Sequence, residues 1–226
     1  LSKPSWEHDG FMYFRDMKVC SVNTARPTLI TWNGRDEYTG IYKTAAKGPI
    51  KLRKYQVAGD CIANRKVHGG LHKACYLFST RHYPYWKKRY PDLDWQWGMF
   101  GENISLDDMD EEEMRIGDTY RIGNALVEVT MPREPCYKLG VRFGTQKILR
   151  DFIDFGYPGA YVRILENGEV WAGDVAELVE QSANPLSIRQ FFTLLYQKEK
   201  TREWVQLALE NPALPRYKRE SLIKYK

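Results

Sequence analysis

The strongest constraint on how this chain folds is a recurring texture. Short stretches of alternating apolar and polar residues, each closed by a turn rich in Gly or Asn, run through most of it. Alternation with a period of two turns one face of a strand toward a core. Residues 17–22 alternate in this way, residues 28–32 are β-branched and apolar, and the Asn33-Gly34 pair that follows is a tight-turn signal. Residues 38–43 continue the β texture, and residues 50–57 read as one half-solvated strand. Residues 74–79 read as a short buried strand. Residues 118–122 and 125–130 flank a Gly123-Asn124 turn, and residues 161–165 and 169–171 flank Glu166-Asn167-Gly168 as a second hairpin. Residues 174–179 supply the last strand. Helical spacing is rarer. Thr80 is a candidate N-cap for a helix with Tyr83, Trp86 and Tyr90 on one face, and Ile148, Leu149, Phe152 and Ile153 mark another. So many short strands with so few helices argue for a mainly β fold, a closed or nearly closed barrel.

Near Asn184-Pro185 the texture changes. Ile188, Phe191, Phe192, Leu195 and Tyr196 share one helical face behind Ser187 as cap, Trp204 to Ala208 make a second helix, and residues 215–225 a third. The expected division is therefore an N-terminal arm (1–16), a β-barrel domain (17–183) and a three-helix unit (184–226). The formal charge of +5 comes from that last unit, since residues 186–226 hold nine Lys or Arg against four Asp or Glu. Such a tail is read as a packing or dimer surface rather than a nucleic-acid module, because no recognition motif accompanies it. An aromatic content of 14% argues against disorder. With no run of membrane-spanning length and no secretory-signal layout, a cytoplasmic protein without membrane association is expected. The four cysteines are irregularly spaced with no CxxC pair, which fits free thiols in a reducing compartment.

The stretch Met131-Pro132-Arg133-Glu134-Pro135-Cys136-Tyr137-Lys138-Leu139 is where chemistry is expected. Its two prolines each remove a backbone donor, so the preceding strand's ladder should stop there and leave a stiff loop. Arg133 and Lys138 flank Cys136, and nearby cations favour the thiolate, the form that attacks or binds metal. The alternative is a small buried hydrophobe. A second group, Cys61, His68, His72 and Cys75, has too wide a spacing for a structural zinc site. His68-Gly69-Gly70, with Lys73 beside it, is better suited to an anion, because consecutive glycines let backbone N–H groups form a concave nest. Lys43 stands in the same position after Thr39-Gly40-Ile41. The acidic run Asp107, Asp108 and 110–113 reads as solvated surface.

These segments, in order, carry a resemblance. Residues 39–43, Gly48-Pro49, Gly59-Asp60, 68–74, Phe100-Gly101-Glu102-Asn103, Ile116-Gly117-Asp118 and 132–139 are together similar to the MOSC domain family, in its bacterial hydroxylaminopurine-resistance branch. The resemblance covers roughly residues 17–180, and the tail from about 185 resembles the three-helix domain that follows MOSC in that branch. It implies a MOSC-type β-barrel that holds the molybdenum cofactor (molybdopterin), with Cys136 as the metal ligand. Lys43, His68, Gly69, Gly70 and Arg133 are then implied at the pterin phosphate, and Asn103 at the pterin. It further implies a homodimer that reduces N-hydroxylated bases such as hydroxylaminopurine to the amine, with two electrons from a separate reductase and water as by-product. Trp95, Trp97, Phe100 or Tyr137 would stack on the substrate, or simply pack the core. The family's association with pyridoxal phosphate is carried over to no residue here. Sulfur transfer through a Cys136 persulfide, or cofactor binding without turnover, is the alternative. His72 stands where the family often has Asp and Cys75 where an aliphatic residue is usual, which bears on substrate preference.

Overall fold

The computed structural model describes residues 16–61 and 69–226. Most of the N-terminal arm, and His68, lie outside the described residues. The strands are β1 (Met17–Thr24), β2 (Thr28–Trp32), β3 (Arg35–Thr39), β4 (Thr44–Ala45), β5 (Ile50–Arg53), β6 (Gln56–Val57), β7 (Cys75–Ser79), β8 (Ile104–Leu106), β9 (Thr119–Ile122), β10 (Ala125–Pro132), β11 (Ala160–Glu166), β12 (Gly168–Val170) and β13 (Val175–Glu180). Among the described residues seven strands close a mixed barrel in the order β13-β9-β10-β11-β7-β8-β1, with β13 returning to β1 and β4 added beside β1. Every contact in it is antiparallel except β7 with β8, which are parallel and joined through α1 (Tyr83–Arg89). Closure pairs Met17 with Ala176 and Lys18 with Val175, which removes the free edges that would otherwise template aggregation. Five further α-helices follow among the described residues: α2 (Tyr137–Arg142), α3 (Lys147–Phe155), α4 (Ile188–Tyr196), α5 (Arg202–Glu210) and α6 (Arg216–Leu222).

Most of the alternating segments form strands as expected, with one expected strand divided in two and one pairing differently. Residues 50–57 are two strands, β5 and β6, turning at Lys54-Tyr55 so that Leu52 faces Val57 across the hairpin and both are buried. β12 does not fold back on β11. It pairs with β5, Gly168 opposite Leu52 and Val170 opposite Ile50. Gly168 is pressed on the β9–β10 turn, where a Cβ would lie 2.5 Å from the Ala125 nitrogen, so the chain leaves the barrel sheet at a point only glycine fits. Asn33 and Gly34 take φ of 49° and 73°, the conformation of the tight hairpin turn read from the sequence. Thr80 opens a single 3-10 turn, and α1 starts three residues later with Pro84 in its first turn and no side-chain cap. Residues 40–43 leave the strand at Thr39.

Two apolar clusters share the interior. The larger fills the barrel and runs without a break into the C-terminal helices, joining Val127, Val129 and Met131 to Leu186, Ile188, Phe191, Val205 and Leu214. The smaller is aromatic and sits between α1, α3 and the loop after α1. Trp86 lies 6.1 Å from Phe152, Phe78 lies 4.3 Å from Phe100, and Phe192 of α4 completes the group. The helical unit is therefore built onto the barrel. Ser187 and Gln190 form a reciprocal capping box at the start of α4, and the fully buried Asn211 donates to the Ile116 carbonyl at 2.9 Å. Among the described residues no helix is long and apolar enough to cross a membrane.

Glu111, expected at a solvated surface, is fully buried, receiving His82 Nε2 at 2.9 Å and the Gly159 N–H at 3.0 Å. Its burial is tolerated because both oxygens are engaged. Arg89 of α1 grips Asp151 of α3 with two nitrogens, at 2.8 and 2.6 Å.

Two measurements test this packing. Asn211→Ala removes a buried hydrogen-bonded side chain and is expected to cost about 2 kcal/mol in denaturant unfolding. Helical circular dichroism and tryptophan emission should still fall in one coincident transition, because tail and barrel share a core. The Arg89 fork, with Tyr90 also donating, holds the Asp151 carboxyl down to about 2. Its contribution is full above the ordinary carboxylate pKa and disappears as pH falls through about 2. Asp151→Asn should therefore lower stability at neutral pH and flatten the acid limb of the stability profile.

Candidate functional site

Neighbouring strands set out one row of residues across the barrel. Tyr76 on β7 is opposite Tyr161 on β11, and Tyr161 is opposite Met131 on β10, two residues before Arg133. β10 runs through Pro132, pairs there with Ala160, and then leaves the ladder. The stiff segment is thus 133–136, and Tyr137 already begins α2 with Cys136 as its N-cap residue. The expected end of the ladder is observed, and the helix directly after the cysteine is not something the two prolines revealed.

Beside this row opens a cleft whose lining includes Lys43, Asn103, Arg133 and Cys136. Four of the residues singled out in the sequence are brought together. Gly40 lets the 39–43 segment reach it: a Cβ there would stand 1.9 Å from the Cys61 carbonyl oxygen. Gly98 does the same from the other side, where a Cβ would come within 2.8 Å of the Lys43 carbonyl oxygen. Gly69 and Gly70 do not line the cleft. Gly70, at φ 92°, instead precedes a 3-10 turn over Leu71–Lys73 that delivers Lys73 to the lining.

The buried carboxylate of Asp60 organises one end. It forms an ion pair with Lys43, accepts Asn103 Nδ2 at 2.9 Å, and takes the Ala25 N–H on its other oxygen at 2.8 Å. Asn103 is fully engaged in turn, donating to the Asn23 carbonyl at 3.2 Å and accepting the Tyr76 N–H at 3.2 Å. Its amide therefore fixes the loop before β8 against β1 and β7. Glu102, also fully buried, holds the same loop by accepting the Gly98 and Phe100 N–H groups at 2.8 and 3.1 Å. Burial raises its carboxyl pKa.

At the other end Arg133 is 4% exposed, with its guanidinium carbon 5.4 Å above the Tyr76 ring and 5.6 Å from Phe152. Burial opposes its charge, but Tyr76, Tyr161 and Cys136 outweigh that and raise its pKa. One terminal nitrogen, Nη1, has no hydrogen-bond partner although it is buried. An unsatisfied donor of this kind costs free energy unless a ligand or water fills the place before it. Lys73 lies 5.7 Å from the Tyr161 ring, and burial lowers its pKa while Glu134 opposes the shift. Lys138 pairs with Glu37 at 3.1 Å. Among the described residues four cations, Lys43, Lys73, Arg133 and Lys138, thus line the cleft against one carboxylate, Asp60. Cys136 and Cys61 are the lining thiols among the described residues, and burial followed by the Asp60 charge raises the Cys61 pKa.

Of the proposed aromatic contacts, Trp95, Trp97 and Phe100 pack on Tyr83 at 4.6 to 5.9 Å, and none of them lines the cleft. Tyr137 stacks on Trp32 at 5.1 Å. Cys75 is in the barrel core, where burial raises its thiol pKa, and among the described residues no group of three His, Cys, Asp or Glu is placed to hold a metal. Asp60, Tyr76 and Tyr161 went unnoticed in the sequence as site residues. Only Asp60 had a signal, the Gly59-Asp60 turn, since the tyrosines read as ordinary strand positions.

The family model described as MOSC domain matches residues 64–177. The uncharacterized protein YflK of Bacillus subtilis (strain 168) is 32% identical over 208 residues, covering 92% of this chain and 94% of that protein. A protein named Reductase from Gibberella moniliformis is 36% identical over 152 residues, covering 66% of this chain but only 27% of that longer one. Among solved structures, YiiM from Geobacillus stearothermophilus superposes with a TM-score of 0.77 at 29% identity, covering 92% of this chain and 98% of that one.

The Asp60–Lys43 pair gives a direct test of how the cleft is built. Both side chains are buried, at 2% and 7% exposure, so Asp60→Asn strands an ammonium in the interior and should cost about 3–5 kcal/mol in denaturant unfolding. The double variant Asp60→Asn with Lys43→Met should recover most of that loss.

Proposed function

Because this chain belongs to the MOSC domain family, we propose that it is a molybdenum-cofactor-dependent reductase of N-hydroxylated bases of the hydroxylaminopurine type. The reaction consumes two electrons and two protons per turnover, converting the N–OH group to N–H with release of water. A separate reductase supplies the electrons. The observation that carries the reading is the unpartnered Nη1 of Arg133, buried in the same cleft as the Cys136 thiol.

That pair of features fits the cofactor's chemistry. A soft thiolate is a ligand for a soft, redox-active metal, and a buried arginine fork with a free donor fits a phosphate. Bound there, the molybdenum cofactor supplies two-electron oxygen-atom chemistry that no side chain offers. Cys136 would hold the metal. Arg133 would take the phosphate, with Lys73 beside it. Lys43 is already compensated by Asp60, so it contributes more to the shape of that end than to its charge. Asn103, whose amide is spent on Asn23 and Asp60, acts by holding the loop. The name Reductase of the Gibberella moniliformis relative supports the oxidoreductase class.

The test is protein expressed with molybdate available, assayed for molybdenum, pterin fluorescence and reduction of an N-hydroxylated base. Cys136→Ser should fold normally and lose reduction to background. Arg133→Met should load pterin about 10–100-fold more weakly, the loss expected for a charge-assisted contact. Full activity with bound molybdenum in Cys136→Ser overturns the assignment. A sulfur adduct on wild-type Cys136 without pterin would replace it with sulfur transfer.

A further inference from the structure

The β2–β3 hairpin stands apart from the barrel sheet. Among the described residues its two strands form a sheet of their own, paired only with each other, in register from Thr28 opposite Thr39 to Trp32 opposite Arg35. Its outward pair, Leu29 and Tyr38, is 54% and 59% exposed. A two-stranded hairpin of this length holds its position in water only if something else fastens it.

The fastening is concentrated on one side chain. Glu37 accepts the Tyr137 hydroxyl on one oxygen and pairs with Lys138 Nζ, 3.1 Å away, on the other. The same Lys138 ammonium donates to the Tyr38 carbonyl at 3.3 Å, and Trp32 stacks on Tyr137 with rings 5.1 Å apart and 25° from parallel. These contacts join positions about a hundred residues apart in sequence, and they join them at the cleft. Thr39, Gly40 and Ile41, continuous with β3, line it, and so do Cys136 and Lys138, on either side of Tyr137. Neither Glu37 nor Trp32 lines the cleft, so they act on it only through the residues they hold.

We infer that Glu37 is a positioning residue: it latches the hairpin to Tyr137 and Lys138 and so fixes the distance between the 39–41 segment and Cys136, which sets the size of molecule that reaches the thiol. The inference holds whether or not the cleft takes molybdenum. A carboxylate suits the task because it accepts from a phenol and an ammonium at once, and both contacts are charge-assisted. Releasing it leaves the ring stack and the single Lys138 hydrogen bond to the Tyr38 carbonyl to hold the hairpin, weaker contacts than the two that are lost.

The experiment is pulse labelling of the full chain, purified without added molybdate, with iodoacetamide or a bulky maleimide, read at each cysteine by peptide mass spectrometry. Cys20, half-buried on β1 and absent from the cleft lining, is the internal control. Glu37→Ala should raise the maleimide rate at Cys136 about tenfold relative to the iodoacetamide rate, leaving the ratio at Cys20 unchanged. Tyr137→Phe should give a smaller rise, and adding it to Glu37→Ala should give no further one, because both remove the same latch. An unchanged size selectivity at Cys136 in a folded Glu37→Ala protein overturns the inference. So does a parallel rise at Cys20 and the buried Cys75, which would mark general loosening. Should Glu37→Ala fail to fold, Glu37→Gln and Tyr137→Phe are read by the same two criteria.

Discussion

The return of β13 onto β1 is the constraint from which the rest follows. Two residue pairs, Met17 with Ala176 and Lys18 with Val175, turn an open sheet into a barrel. Once it is closed, each strand end has a fixed neighbour. Residues far apart in sequence, from the segment after β3, the approach to β8, the 3-10 turn before β7 and the end of β10, then border one cleft. Closure also leaves apolar residues on the barrel's flank that need a cover. The C-terminal helices cover what remains, which is why Phe191 and Leu214 belong to the same apolar cluster as Val127 and Val129.

This dependence explains what could be read from the sequence. Strands announce themselves through alternation and turns through glycine and asparagine, so the hairpin at Asn33-Gly34, the one at Gly123-Asn124 and the capped helix behind Ser187 were all legible. Pairing partners are not local. Nothing between Ile164 and Val170 says that β12 belongs with β5, since the reason is a close approach to Ala125 forty residues away. The thiol and its cations were likewise legible as types in a pattern, and the barrel puts Lys43, Asn103, Arg133 and Cys136 around one cleft.

The buried carboxylates were illegible for a different reason. Asp60, Glu102 and Glu111 look like surface residues in any composition-based reading, because an acidic side chain is rarely enclosed unless its partners are supplied. Here the partners of Asp60 and Glu111 are backbone N–H groups, a lysine and a histidine from distant parts of the chain, brought up only once the barrel has formed, while Glu102 takes backbone N–H groups of its own loop. Each carboxylate is a fastener for a loop that has no ladder of its own. Asp60 joins the segment around Ala25 to Lys43 and Asn103, and Glu102 curls residues 98–102 around itself. An expectation built on charge runs misses them because it treats acids as solvated by default.

The same logic separates the cations of the cleft. Lys43 and Lys138 each arrive with a carboxylate, Asp60 and Glu37, so their charge is largely spent before any ligand binds. Lys73 is pulled toward its neutral form by burial. Arginine resists that change, since its guanidinium keeps its proton under almost any enclosure. Arg133 therefore carries a full charge into the interior between two aromatic rings, with one donor left unmatched. An enclosed and unmatched donor is unfavourable in the empty protein, and an anion that matches it recovers that cost on binding rather than adding a new ordering penalty. Among the described residues that line the cleft, only Arg133 combines fixed charge, fixed position and an unmet hydrogen bond, so selectivity for an anionic ligand in this cleft should rest on Arg133 more than on the number of lysines around it.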